Sequence, residues 1–145
     1  MKTCHNCNLR ALTTPKTEEH KKQPTYLECR GCGAFHLTYE PLPHQEDFHK
    51  TKQTTNEDGS LKTQILGLFG GFGSAKSRAS LQEIFIRSLN NPGGTGLLTA
   101  PTLLQLKRTT IKTLLNEVIP PPLIRSYNKS EGELILENGF TFYLI

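Results

Sequence analysis

The chain has 145 residues, 35% of them hydrophobic and 21% charged, with no Trp and a mean hydropathy of -0.43. That length accommodates one ordinary domain, or a small module joined to part of a larger one, with a core of modest size. The formal charge of +4 comes from cations spread along the chain, so charge alone does not mark a nucleic-acid binder; the polar N-terminus and the lack of an apolar run of roughly 18 to 20 residues point away from a signal peptide or a membrane-spanning helix and toward the cytoplasm.

All of the cysteines lie near the N-terminus, as Cys4-His5-Asn6-Cys7 and Cys29-Arg30-Gly31-Cys32-Gly33. Two C-x2-C pairs read as a tetrahedral thiolate zinc site, each pair forming a tight knuckle that turns two sulfurs toward one metal. Four cysteine ligands close the coordination sphere, which makes the metal structural. The strand-like flanks at Thr25 to Glu28 and Ala34 to Tyr39 complete a zinc-ribbon reading for residues 1–40, with the charged Lys16 to Gln23 stretch as an exposed arm. Two disulfides would use the same even count, although no other feature of the sequence points to an oxidising compartment. His5, His20 and His36 are further possible ligands that the polar context reads as solvated.

The prolines at Pro41 and Pro43 mark a boundary, and a short helix is expected from about His44. Its Gln45 offers a donor and an acceptor that match the N6 and N7 edge of adenine. The polar stretch from Thr51 to Ser60 reads as a connecting loop.

The run Ile65-Leu66-Gly67-Leu68-Phe69 predicts a strand, followed by the glycine-rich segment Gly70-Gly71-Phe72-Gly73-Ser74-Ala75-Lys76-Ser77 and an amphipathic helical pattern from Arg78. This is the order of a phosphate-binding loop. Small residues let backbone N–H groups approach phosphate oxygens, and the helix N-terminus adds partial positive charge. Lys76 would reach the β- and γ-phosphates of a nucleotide, and the Ser77 hydroxyl would sit on Mg²⁺. Ala75 stands where the pattern has Gly, and its methyl demands a backbone open to non-glycine residues. A ligand-free strand-to-helix turn is the alternative.

Leu81, Ile84, Phe85 and Leu89 place one face of the following helix on a sheet, and Asn90 to Gly94 stops it. Thr95 to Ala100 predicts a buried strand, and a helix after Pro101 carries Leu104, Ile111, Leu115 and Val118 on one side until Pro120-Pro121-Pro122 ends it. The progression is βαβα with a parallel sheet. Glu133 to Glu137 and Phe140 to Leu144 flank Asn138-Gly139, a type I′ hairpin signal that places Glu137 at a turn.

Taken together, the Gln45 segment, the Gly70 to Ser77 loop, the stretch from Ala100 to Thr109 and the Asn138-Gly139 hairpin resemble the N-terminal ATPase region of tailed-phage terminase large subunits over residues 41–145. The resemblance implies an α/β fold of P-loop NTPase type with a partial parallel sheet flanked by helices. It also implies that Gln45 reads adenine, that the loop with Lys76 and Ser77 binds ATP and Mg²⁺, and that Lys76 is catalytic. Implied partners are double-stranded DNA, the portal and the small terminase subunit, in a ring of identical motors within the host cytoplasm. Phe72 stands where many relatives carry a basic residue, so that residue's role does not transfer. The acid pair that holds Mg²⁺ and orients water in this family has no counterpart, since Leu134-Ile135-Leu136-Glu137 runs directly into the hairpin, and the nuclease domain is absent. The expectation is therefore a truncated or split product. Two other classes share these features: a zinc-ribbon module that binds nucleic acid or protein through a degenerate P-loop, and a helicase-like ATPase fragment.

Overall fold

The computed structural model describes residues 3–8, 10, 12–15, 25–50, 57–58, 67–69, 71 and 73–145. The fold is mixed α/β, with two separate sheets.

The first sheet is antiparallel, in the order β1 (Leu12–Thr13), β2 (Tyr26–Cys29), β3 (Phe35–Leu37). Its register sets Leu12 opposite Cys29 and Leu27 opposite His36. The two expected ribbon strands are therefore present, while the Lys16 to Gln23 arm lies outside the described residues. The apolar cluster beneath this sheet consists of Cys4, Leu12 and Cys29, with Cys7, Leu27 and Ala34 packed against it.

Helix α1 (Pro43–Lys50) begins with proline, whose missing N–H costs nothing in a first turn. Helix α2 (Lys76–Leu89) buries Leu81 and Phe85, with Ile84 and Leu89 packed at the margin, as its apolar spacing predicts. The strand expected before the loop is not formed where it can be followed: Gly67, Leu68 and Phe69 are irregular, and Phe69 is 94% exposed. Ile65 and Leu66 lie outside the described residues.

The second sheet has the order β4 (Thr95–Leu98), β7 (Thr141–Leu144), β6 (Glu133–Leu136), β5 (Ile124–Asn128). β4 runs parallel to β7, and the other pairs are antiparallel. β4 was expected to be buried, but it forms an edge of the sheet, and Leu97 is 59% exposed. Alternation in β6 and β7 buries Leu134, Leu136, Phe142 and Leu144 on one face. On that face sit α2 and the helix after β4.

That helix opens as α3 (Leu103–Gln105), capped by Thr102 Oγ1, which accepts from the Gln105 N–H at 3.2 Å. It then widens to π geometry over Leu106–Ile111 and again over Leu114–Val118. Rungs that close on the fifth residue, such as the Ile119 N–H donating to Leu114 O at 2.8 Å, bring residues five apart onto one face. The buried set is consequently Leu106, Ile111, Leu114, Val118 and Ile119. Leu104, placed on the core face by a 3.6-residue period, is 58% exposed.

The hairpin between β6 and β7 forms at Asn138-Gly139, with a different turn. Gly139 is left-handed at φ +83° and donates to Leu136 O at 2.9 Å, whereas Asn138 keeps a negative φ. A type I′ turn needs both residues left-handed, so the geometry is that of a three-residue loop ending in a glycine bulge. Asn138 is held by its side chain, which donates to Ser88 O at 2.8 Å and accepts from the Phe140 N–H at 3.1 Å.

Candidate functional site

Two places concentrate chemistry-bearing side chains. At the first, the sulfurs of Cys4, Cys7, Cys29 and Cys32 all lie within 4.8 Å of one another. Cys4 Sγ is 3.7 Å from Cys32 Sγ, and Cys7 Sγ is 3.6 Å from Cys29 Sγ. Sulfurs sharing a tetrahedral zinc at about 2.3 Å stand about 3.8 Å apart, so the four thiols fit a structural zinc site. All are free cysteines, so the disulfide alternative is not realised.

Both knuckles are built alike. The residue after the second cysteine is left-handed in each, Asn8 at φ 56° and Gly33 at φ 71°. Its N–H returns to the carbonyl of the first cysteine, Asn8 to Cys4 at 2.9 Å and Gly33 to Cys29 at 2.8 Å. Asparagine and glycine are the residues that adopt this conformation at least cost. The Cys32 N–H pulls the Cys29 thiol down from 9.0 to about 7; burial opposes this, and the Gly31 N–H and the Cys7 and Cys32 side chains add to the lowering. His36, expected to be solvated, is half-buried with Nε2 at 3.2 Å from Cys4 Sγ, outside the four-sulfur cluster and in contact with it. Its signal was its place on the strand directly opposite Leu27, facing the knuckle. His5 is exposed, and His20 lies outside the described residues.

The second place is the loop leading into α2. Gly70 and Phe72 lie outside the described residues. Of the remainder, Gly73 is left-handed at φ +81°, and Ala75, the residue just before the helix, is also left-handed at φ 55° and ψ 25°. An alanine in that region carries a Cβ penalty of roughly 1–2 kcal/mol. The loop closes on the Gly71 carbonyl, which accepts from Lys76 Nζ at 2.6 Å and from Ser74 Oγ at 2.9 Å. Lys76 Nζ also reaches Ser74 Oγ at 3.1 Å, while Ser77 is exposed.

The start of α2 is electrostatically unusual. Ala75 provides no side-chain cap, no acid occupies the first turn, and Lys76 and Arg78 both stand there. Helix N-termini ordinarily favour negative charge and disfavour cations. Arg78 carries a buried Nε without a hydrogen-bond partner, and its guanidinium lies 6.0 Å from the centroid of the Tyr39 ring.

Gln45 is 2% exposed and joins this loop to α1. Its Nε2 donates toward the carbonyls of Ser74 at 3.3 Å and Ala75 at 3.5 Å, and its Oε1 accepts from the Leu42 N–H at 3.1 Å and the Tyr39 hydroxyl at 3.2 Å. The Tyr39 hydroxyl lies 2.9 Å from His49 Nε2, His49 Nδ1 lies 2.7 Å from Glu83 Oε2, and Arg87 Nε donates to Glu83 Oε1 at 2.7 Å. Tyr39 has one proton to give, either to Gln45 or to His49. Burial holds its phenol above the ordinary value, with Arg78 opposing and Glu83 adding to the effect. Sequence reading singled out Gln45 and not Tyr39, His49, Glu83 or Arg78; the last three carry only the weak signal of a polar residue on a helix, and Tyr39, in the segment before α1, carries none.

Glu137 sits in the hairpin turn, where its Oε2 lies 3.8 Å from Arg125 Nε. It is exposed, and its neighbour Asn138 bonds to Ser88 at the end of α2 opposite the loop, in keeping with its reading as a turn residue. No helix among the described residues is long and apolar enough to cross a membrane. Comparison with protein-family models, with curated proteins and with solved structures returned no match to this chain.

Proposed function

We propose that the chain is the N-terminal portion of a tailed-phage DNA-packaging terminase ATPase, with a zinc ribbon over residues 1–40 and part of a P-loop NTPase domain over residues 41–145. The observation that carries this reading is the first turn of α2. It has no capping side chain and no acid, it carries Lys76 and Arg78, and it follows a left-handed Ala75. A bound anion would satisfy the free N–H groups, offset the unfavourable cations and compensate the strain, and a nucleotide phosphate is such an anion.

In this reading Lys76 would exchange its bond to the Gly71 carbonyl for phosphate oxygens, and the exposed Ser77 hydroxyl would be a ligand for Mg²⁺, which would neutralise charge on the phosphates. Gln45 has a double duty. Its amide already spans α1 and the loop, so reading adenine means exchanging one of those bonds for the base edge. Four cysteines with no open position give the zinc a structural role. Double-stranded DNA, portal and small-subunit contacts, and assembly into a ring, belong to the whole motor.

The test is a titration with ATP and GTP. ATP is expected to bind in preference, and Lys76→Ala to weaken it by roughly ten- to a hundredfold, the equivalent of one charge-assisted hydrogen bond. Turnover by the 145 residues is expected to be negligible, because the apolar run that ends in an acid, Leu134 to Glu137, passes directly into a hairpin turn and so does not supply the acid pair that would complete metal and water positioning. Equal binding by Lys76→Ala would make the loop a structural turn. The second reading, a ribbon module with a degenerate loop, is favoured by one observation: Lys76 is already satisfied by Gly71 O and Ser74 Oγ. Absence of any ATP binding would select it.

A further inference from the structure

Away from both sites, the widened helix and the β5–β6 hairpin enclose a groove. Two adjoining cavities of about 350 and 60 Å³ share Lys107, Ile111, Tyr127 and Lys129. The larger is completed by Lys112 and Leu115. Its floor is apolar: Ile111 is buried, and Leu115 and Tyr127 are half-buried. Its rim is cationic, and among the described residues no ion pair or hydrogen bond engages the ammonium groups of Lys107, Lys112 or Lys129. The nearest acid in the smaller cavity, Glu131, turns instead to Asn128, whose Nδ2 donates to it at 2.8 Å. One wall of the groove is the π-helical stretch, a geometry rare in proteins and found mostly at functional positions.

We propose that this groove docks an acidic amphipathic segment of a partner protein, its aliphatic side chains on Ile111, Leu115 and Tyr127 and its carboxylates on Lys107, Lys112 and Lys129. Charge complementarity selects this occupant. A second copy of the chain is disfavoured by its own net charge of +4. Nucleic acid is disfavoured by the floor, because single strands are held by aromatic platforms and this groove offers one ring among aliphatic side chains. Free lysines around an apolar floor suit a helix that presents leucines at i, i+3, i+4 and i+7 between acids. The inference does not depend on nucleotide binding.

The probe is a synthetic peptide of about 18 residues with leucines at helical spacing, Glu and Asp on the flanks and a single Trp, which this chain lacks. It is titrated into the full chain while Trp fluorescence and the methyl resonances of Ile111 and Leu115 are followed. Saturable binding is expected, with shifts at those two methyl groups. Affinity should fall about tenfold or more when the leucines become serines at constant charge, and by a similar factor in the exposed double variant Lys107→Glu, Lys129→Glu. Failure to saturate, or equal binding by the serine peptide, overturns the proposal. So does a DNA oligonucleotide that displaces the peptide and loses as much affinity in the double variant, which would mark a nucleic-acid surface. Self-association of the parent chain that disappears in that variant would assign the groove to a second copy. Should the double variant misfold by circular dichroism, the methyl shifts in the parent chain and the serine peptide decide the matter.

Discussion

The ribbon and the helix-backed sheet reach order by opposite routes. The ribbon buries Cys4, Leu12 and Cys29, a cluster in which two of the three members belong to the four-thiol site. The sheet from β4 to β7 and its helices bury thirteen apolar side chains in one cluster, including Phe85, Phe140 and Phe142. A unit of some 40 residues cannot offset its chain entropy by burial alone, so the first region is expected to stand on coordination and the second on packing. The loop before α2 belongs to neither scheme: it is held by hydrogen bonds from Lys76, Ser74 and Gln45, and carries a strained alanine.

The largest effect that could break this comparison is metal removal. Apparent zinc binding in such sites is on the order of 10–16 kcal/mol, so a chelator or Cys4→Ser should erase the amide dispersion of β1 to β3 while leaving β4 to β7 intact. Loss of both regions together would show that the sheet leans on the ribbon. The same experiment has a pH dependence with a definite sign. A Cys29 thiol lowered from 9.0 to about 7 favours the folded thiolate; that contribution is complete above the unfolded value and is lost as pH falls through about 7. Zinc retention against a competing chelator should weaken as the pH falls, because every ligating thiol must give up its proton to bind.

Next in size is Phe142→Ala, expected to cost about 3–5 kcal/mol in denaturant unfolding of the sheet without changing zinc content. Gln45→Ala comes third. It strands the Leu42 N–H and the Ser74 carbonyl together, while Tyr39 keeps His49, at about 1–3 kcal/mol, and should raise amide exchange across α1 and the start of α2. An unchanged exchange pattern would reject Gln45 as the tie between them. The smallest effect is Ala75→Gly. Relief of the left-handed Cβ penalty, less the backbone entropy of glycine, predicts about 0.5–1 kcal/mol of stabilisation in thermal unfolding. Destabilisation would mean that the alanine methyl makes a favourable contact.

What the sequence disclosed follows the range of the physics. The cysteine spacing, the core face of α2 and the hairpin at Asn138-Gly139 rest on interactions within a few residues, and each is found. The turn type was misread because Asn138 spends its side chain on Ser88, fifty positions earlier in the chain, and that tertiary bond fixes its backbone. Ile111, Leu115 and Val118 lie on the expected face of the helix after β4, whereas Leu104 is exposed and Leu106 buried, because a 3.6-residue period does not describe rungs that close on the fifth residue. β4 is an edge strand because its parallel partner is β7 and, among the described residues, no strand pairs on its other side, a choice no local pattern encodes. At the candidate sites, the four thiols that come together were legible as a motif. The Tyr39, His49 and Glu83 chain was not, since its members are scattered over α1, α2 and the segment before them and meet only after folding.

The likeness of the two cysteine knuckles bears on how the ribbon comes to be made. Each is bent by its own left-handed residue and its own returning N–H, Asn8 in one and Gly33 in the other, so neither borrows its shape from its counterpart. Such a clasp can be closed from either side. On the ribosome the Cys4 and Cys7 half emerges first, and because its bend rests on bonds within its own few residues, it would need only the arrival of Cys29 and Cys32 to complete the four-thiol arrangement.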